Sequence, residues 1–152
     1  MNDPNQLPEN SHGQKKLPPP EAVIPHRPPM LFLNEIEQCS EDGAVGKYQF
    51  SAEDPIFDGH FPSRPIVPGV LILEGAAQTL AYWALRRSPN HIVLLTGVER
   101  AKWSHPVYPG EELFYKIQVI KAKLGLVIAD VTVHINDQIA LTARLKGYLQ
   151  SK

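Results

Sequence analysis

The sequence predicts an α+β fold in which one curved antiparallel sheet encloses one long helix. Three strand-like runs follow one another in the C-terminal half, only one segment is long enough to be a central helix, and that segment is apolar on nearly every face. A helix laid on a surface keeps a polar stripe, so a helix without one is expected to be surrounded. Successive strands joined by short turns pair antiparallel, as a meander.

Each element follows from its own pattern. Leu113, Tyr115, Ile117 and Val119 alternate with a more polar set that includes Lys116, Gln118 and Lys121, the period of a half-buried strand. Val127, Ala129, Val131, Val133 and Ile135 repeat that period, and Ile139, Leu141, Ala143 and Leu145 repeat it again after the turn-forming Asn136-Asp137. Ile92 to Leu95, leading through Gly97 to Val98 and Trp103, adds one or two strands, and Gly43 to Phe50 adds another. The helix is expected over Val70 to Arg87, started by Pro68-Gly69 and stopped by Ser88-Pro89-Asn90. At roughly 24 Å, its apolar stretch from Val70 to Leu85 is short for an untilted membrane span, and it contains Glu74 and Gln78.

The chain has 152 residues, enough for one ordinary core. Eight of its 15 prolines precede Met30, and the polar, aperiodic start reads as a flexible Pro-rich tail over residues 1–20, with a single domain over residues 21–152. Order is expected to begin near Ile24, and Pro25, Pro28 and Pro29 forbid a regular helix before Met30. A formal charge of -1 gives no global reason to expect nucleic acid or an anionic membrane as partner. Cys39 is the only cysteine, no Cys/His cluster has zinc spacing, and the first residues lack the basic start and apolar run of a secretory signal. A cytoplasmic protein without a disulfide or bound metal is expected.

The chemistry concentrates in the run from Gly59 to Gln78. His60 stands on a loop stiffened by Pro62, Pro65 and Pro68, and Glu74 follows fourteen residues later inside the apolar helix. An unpaired buried carboxylate costs several kcal/mol, so Glu74 is either a structural group satisfied by Gln78 and backbone amides or a working acid. Gln78, one turn on, shares its helix face and can orient it. Burial raises a carboxyl pKa toward neutrality, where a protonated Glu serves as general acid. Imidazole titrates near neutrality without tuning, which suits His60 to the complementary role of base. Gly69, at the helix N-terminus, offers a free amide and the positive dipole end to a carbonyl oxygen, or simply eases the helix start.

The pattern His60-Phe61-Pro62, Pro65, Pro68-Gly69-Val70-Leu71, Glu74, Ala77-Gln78 resembles the signature of the FabZ-type 3-hydroxyacyl-[acyl-carrier-protein] dehydratases. Pro25-His26-Arg27, Ala101-Lys102-Trp103 and the stretch from Pro106 to Glu111 resemble that family in order and spacing, so that the likeness extends from about Ile24 to Leu149. The resemblance implies a hot-dog fold and a homodimer, open to assembly into a hexamer, whose tunnels lie at the subunit interface. It implies that His60 is the catalytic base and that Glu74 of the other protomer assists departure of water. Gly69 would polarise the thioester carbonyl and Gln78 would hold Glu74. The substrate would ride on the phosphopantetheine of an acyl carrier protein, with no further cofactor. Carrier proteins are acidic, which gives Arg64, Arg86, Arg87, Arg100 and Lys102 a docking role or leaves them as solvated surface charges.

The sequence departs from the usual family pattern at Arg27-Pro28-Pro29-Met30, at Ser63-Arg64 and at Gly75-Ala76 after Glu74, and in this it looks like relatives from secondary lipid or polyene pathways. A hot-dog acyl thioesterase and a non-catalytic carrier-protein-binding subunit are the alternative functions. The Pro-His-Arg position of His26 is expected to serve a fold-stabilising hydrogen bond. Trp83, Trp103 and Tyr108 are expected in the core or in the tunnel lining.

Overall fold

A computed structural model describes residues 16–152. Its six strands form one sheet in the order β1-β2-β4-β5-β6-β3, with every neighbouring pair antiparallel. In chain order these are β1 (Glu35–Ser40), β2 (Gly43–Gln49), β3 (His91–Trp103), β4 (Glu112–Lys123), β5 (Leu126–Ile135) and β6 (Gln138–Ser151). A one-turn helix α1 (Ile56–Gly59) and the long helix α2 (Gly69–Leu85) lie between β2 and β3.

The meander β4-β5-β6 follows the sequence expectation. Two-residue turns join its strands: Leu124 and Gly125 both take positive φ, and Asn136 does so in the second turn, as short-hairpin twist requires. Along β5, Val127, Ala129, Val131, Val133 and Ile135 are all buried. On β6 the expected alternation fails at one end, where Ile139 is exposed and Ala140 takes the buried position. A register shift opposite Val133 and His134 leaves Ala140 as an extra residue, and such a bulge turns the preceding side chain outward. The expected one or two strands between Ile92 and Trp103 are one strand, β3, with two such shifts.

α2 packs against β2, β3, β4, β5 and β6, which is why so many of its faces are buried. Tyr82, Leu80 and Ile72 are among its fully enclosed residues, and Trp83 is buried with Arg87 over its ring. Gly75 is needed for the close approach. A Cβ on it would collide with the ring and hydroxyl of the fully buried Tyr115 on β4. Burial drives the Tyr115 pKa strongly upward, and its hydroxyl has no hydrogen-bond partner among the described residues.

Of the Pro-rich tail expected over residues 1–20, residues 1–15 lie outside the described residues. Beyond them, Leu17 packs on the core, the Pro18 carbonyl accepts a 2.7 Å hydrogen bond from the Tyr82 hydroxyl, and Pro20 to Ala22 form a single 3-10 turn. Burial pushes the Tyr82 pKa up to about 12.

The two sheet edges differ. β1 is short and polar, whereas β3 runs for 13 residues and presents Leu94, Leu95, Val98 and Trp103, each at least 39% exposed.

Candidate active site

Helix α2 begins at Pro68, whose extended backbone (φ -56°, ψ 126°) turns the chain into the helix without a side-chain cap. The amides of Gly69 and Val70 have no acceptor among the described residues. Trp103, at the end of β3, lies over this helix start and donates from Nε1 to the Gly69 carbonyl at 2.9 Å. A Cβ at Gly69 would stand 2.7 Å from that nitrogen, so Gly69 is required by a close approach as well as by helix initiation.

Glu74 lies in the second turn of α2 with its side chain 27% exposed, less enclosed than the apolar helix suggested. Gln78 is fully buried, with both amide hydrogens and its carbonyl oxygen hydrogen-bonded. Its Oε1 accepts from the Phe32 amide at 2.8 Å, and its Nε2 donates to the Met30 carbonyl at 2.8 Å and to Glu74 Oε1 at 2.9 Å. Glu74 is therefore tied through Gln78 to the segment entering β1.

His60 ends α1, its amide closing that turn on the Ile56 carbonyl at 3.0 Å. Its Nδ1 lies 2.8 Å from the Ile66 carbonyl, and the Ile66 amide donates back to the His60 carbonyl at 3.1 Å. A carbonyl only accepts, so Nδ1 carries the proton and the neutral ring presents an unprotonated Nε2. Phe61 and Arg64 exchange a further pair of backbone hydrogen bonds, and the Val67 amide reaches the Val107 carbonyl. The proline-rich loop is thus also a hydrogen-bonded one. The Phe61 ring stacks on the imidazole with centroids 4.1 Å apart.

Within one chain the fold brings Glu74 and Gln78 together, and no hydrogen bond or ion pair among the described residues joins His60 to Glu74. His26 is the neighbour of Glu74 instead, with Nε2 3.6 Å from Oε1. Burial, reinforced by the adjacent Arg27, lowers the His26 pKa below that of an ordinary imidazole against the opposing pull of Glu74. The sequence signal for this contact was the Pro25-His26-Arg27 motif, read there as a fold-stabilising element.

The five cations considered for docking do not share one place. Arg86 and Arg87 follow the C-terminal end of α2, roughly 24 Å along the helix from Gly69. Arg87 is engaged with the carbonyls of Trp83 and Ser40. Arg64 is exposed on the His60 loop, and Arg100 and Lys102 are exposed on β3 toward Trp103. Among the described residues no cluster of His, Cys, Asp and Glu has the arrangement of a metal site, and no helix is long and apolar enough to cross a membrane.

A long central helix wrapped by a six-stranded antiparallel sheet is the hot-dog architecture. The dehydratase heterocomplex ApeI:P from Xenorhabdus doucetiae shares it, with a TM-score of 0.78 at 17% identity over 90% of this chain and 94% of that one. Residues 24–144 match the FabA-like domain, and the chain belongs to that family. The 3-hydroxyacyl-[acyl-carrier-protein] dehydratase FabZ of Thermotoga petrophila is 40% identical over 124 residues, covering 82% of this chain and 90% of the relative. The enzyme of the same name from Sulfurovum sp. is 33% identical over 141 residues, covering 87% and 95%.

Proposed function

We propose that this protein is a 3-hydroxyacyl-[acyl-carrier-protein] dehydratase that forms trans-2-enoyl thioesters in fatty-acid or related lipid or polyene biosynthesis. The observation that carries the reading is the pair of half-sites: an imidazole with Nε2 free for a proton, and a carboxyl anchored through one oxygen by Gln78. The family relatives named for this activity support it.

His60 Nε2 removes a proton from C2 of the 3-hydroxyacyl thioester. The C–H electron pair becomes the C2–C3 double bond as the C3–O bond breaks, and the carboxyl of Glu74 protonates the departing hydroxyl to give water. The Gly69 amide stabilises negative charge on the thioester oxygen. His60 ends protonated and Glu74 ionised, and proton exchange with solvent restores both. Gln78 holds Glu74. The substrate arrives on the phosphopantetheine of an acyl carrier protein, and the mechanism calls for no metal or organic cofactor.

Among the described residues no hydrogen bond or ion pair joins His60 to Glu74 within one chain, which favours a homodimer in which each site takes His60 from one protomer and Glu74 from the other. The long apolar edge of β3 is the surface for it, because an unpaired hydrophobic edge strand is a template for a second chain. A hexamer built as a trimer of such dimers is the larger assembly. Arg64, Arg100 and Lys102 are the better placed of the five docking cations, since their segments adjoin the His60 loop and the Trp103 contact with Gly69. Arg86 and Arg87 act only if the carrier reaches the far end of α2. The expected location is cytoplasmic.

The test is to offer short, medium and long 3-hydroxyacyl carrier-protein thioesters and follow enoyl product, free acid and binding. Enoyl formation that falls by at least about 10³-fold in His60→Ala and Glu74→Gln is the expected result. Free acid alone identifies a thioesterase, and binding without turnover identifies a carrier-binding subunit.

A further inference from the structure

We infer that His26 is a positioning residue which, together with Gln78, assigns the acid proton of Glu74 to Oε2. This rests on the dehydratase role proposed above for Glu74.

Two side-chain nitrogens converge on the same carboxyl oxygen, one at hydrogen-bond distance and one just beyond it. Gln78 Nε2 donates to Glu74 Oε1 at 2.9 Å, and His26 Nε2 lies 3.6 Å from that atom. Oε2 has no protein partner among the described residues. In a protonated carboxyl one oxygen is a carbonyl that accepts and the other is a hydroxyl that donates. An oxygen faced by two N–H groups is the acceptor, so the hydroxyl is the other one. The pair of donors thus aims the transferable proton away from the protein scaffold, toward a substrate hydroxyl.

The separation of 3.6 Å is a contact rather than a hydrogen bond, and catalytic hydrogen bonds commonly tighten when substrate binds. The imidazole is well held for that purpose. Arg27 clamps its turn by donating to the carbonyls of Glu21, Ile24 and His26, and the Met30 amide closes it on the Arg27 carbonyl. The far end of the same segment is tied to Gln78 through Met30 and Phe32. One short stretch of chain therefore carries both His26 and the backbone groups that orient Gln78. Glu74 and Arg27 are the charged groups acting on the ring, and burial with Arg27 favours its neutral form, which has one N–H to give. The other nitrogen, Nδ1, is buried without a hydrogen-bond partner. A buried N–H left without a partner is rarer than an unused acceptor, which places the single proton of the neutral ring on Nε2, facing Glu74.

His26→Gln and His26→Asn separate this role from a structural one, because the Gln amide nitrogen reaches the place of Nε2 and that of Asn only the place of Nδ1. With the full-length protein and a 3-hydroxyacyl carrier-protein thioester, kcat for enoyl formation should stay within about threefold of wild type in His26→Gln. In His26→Asn it should fall by about 10- to 100-fold with KM changed far less, as expected for a misplaced catalytic group. Similar thermal melting of the two variants is part of the expected result. Equal kcat in both variants, or a loss carried by KM, overturns the positioning role while leaving the dehydratase reading intact. If the wild type itself forms no enoyl product, the dehydratase reading fails and this inference falls with it.

Discussion

Glu74 and His60 sit on opposite banks of the proposed chemistry, and the chain holds them differently. Glu74 is secured by two side chains, the fully buried Gln78 one turn along its own helix and the partly buried His26 from a distant segment, and through Gln78 by the backbone of Met30 and Phe32. His60 is secured by backbone alone, through the Ile66 carbonyl six residues on, and its ring is covered by its own neighbour Phe61. The Glu74 half is a tertiary object that exists only when the core is assembled. The His60 half is a local object, built by one loop and completed by whatever approaches its free Nε2.

The largest expected effect tests whether the halves belong to different protomers. His60→Ala and Glu74→Gln should each be inactive alone, and subunit exchange between them should restore about a quarter of wild-type activity, because half the dimers are mixed and each mixed dimer has one intact site. No recovery, with exchange verified by mass, places both groups in one chain. Next, Gln78→Ala should cost about 3 kcal/mol in chemical denaturation, since it opens a cavity and leaves the Phe32 amide and Met30 carbonyl unpaired. Ile66→Val should cost about 1 kcal/mol or less, since its carbonyl remains. Equal losses would erase the tertiary-versus-local contrast.

Smaller effects probe the support beneath Glu74. Gly75→Ala should destabilise by about 1–3 kcal/mol through overpacking against Tyr115, while Tyr115→Phe, which removes a hydroxyl without a protein partner, should be neutral or stabilising by up to about 1 kcal/mol. The smallest concerns pH. A folded-state pKa of His26 below its ordinary value of about 6.5 means that the unfolded chain binds the proton more readily. Its contribution is therefore complete above about pH 6.5 and is lost as pH falls through the lower folded value. Denaturation midpoints measured from pH 8 to 5 should decline less steeply in His26→Gln.

The legibility of these parts in sequence follows the same division. Strands β4, β5 and β6 were readable because alternation is a local signal, and the helix because Pro68-Gly69 and Ser88-Pro89 bracket one apolar run. β1 was not readable: Glu35–Ser40 is mostly polar and exposed, and becomes a strand by pairing with β2. One-turn α1 is too short for a helical period to show. The outward turn of Ile139 depends on pairing opposite Val133 and His134, which no single-strand pattern reveals. At the site, spacing alone put Gln78 beside Glu74, since residues four apart on a helix must neighbour each other. Spacing could not bring His26 to Glu74, because 48 residues and two strands separate them.

The sequence by itself determined the inventory and the local geometry: an imidazole on a proline-stiffened loop, a carboxyl and an amide on one helical face, and a glycine where the helix starts. These follow from torsional limits and helical period, which act over a few residues. Tertiary structure alone decided that the free amide ends of Gln78 bind the Met30–Phe32 segment, that His26 faces the oxygen Gln78 already holds, and that β3 keeps a long apolar edge unpaired. Those outcomes depend on how the sheet closes around α2, and closure is settled by the packing of the whole core rather than by any one segment.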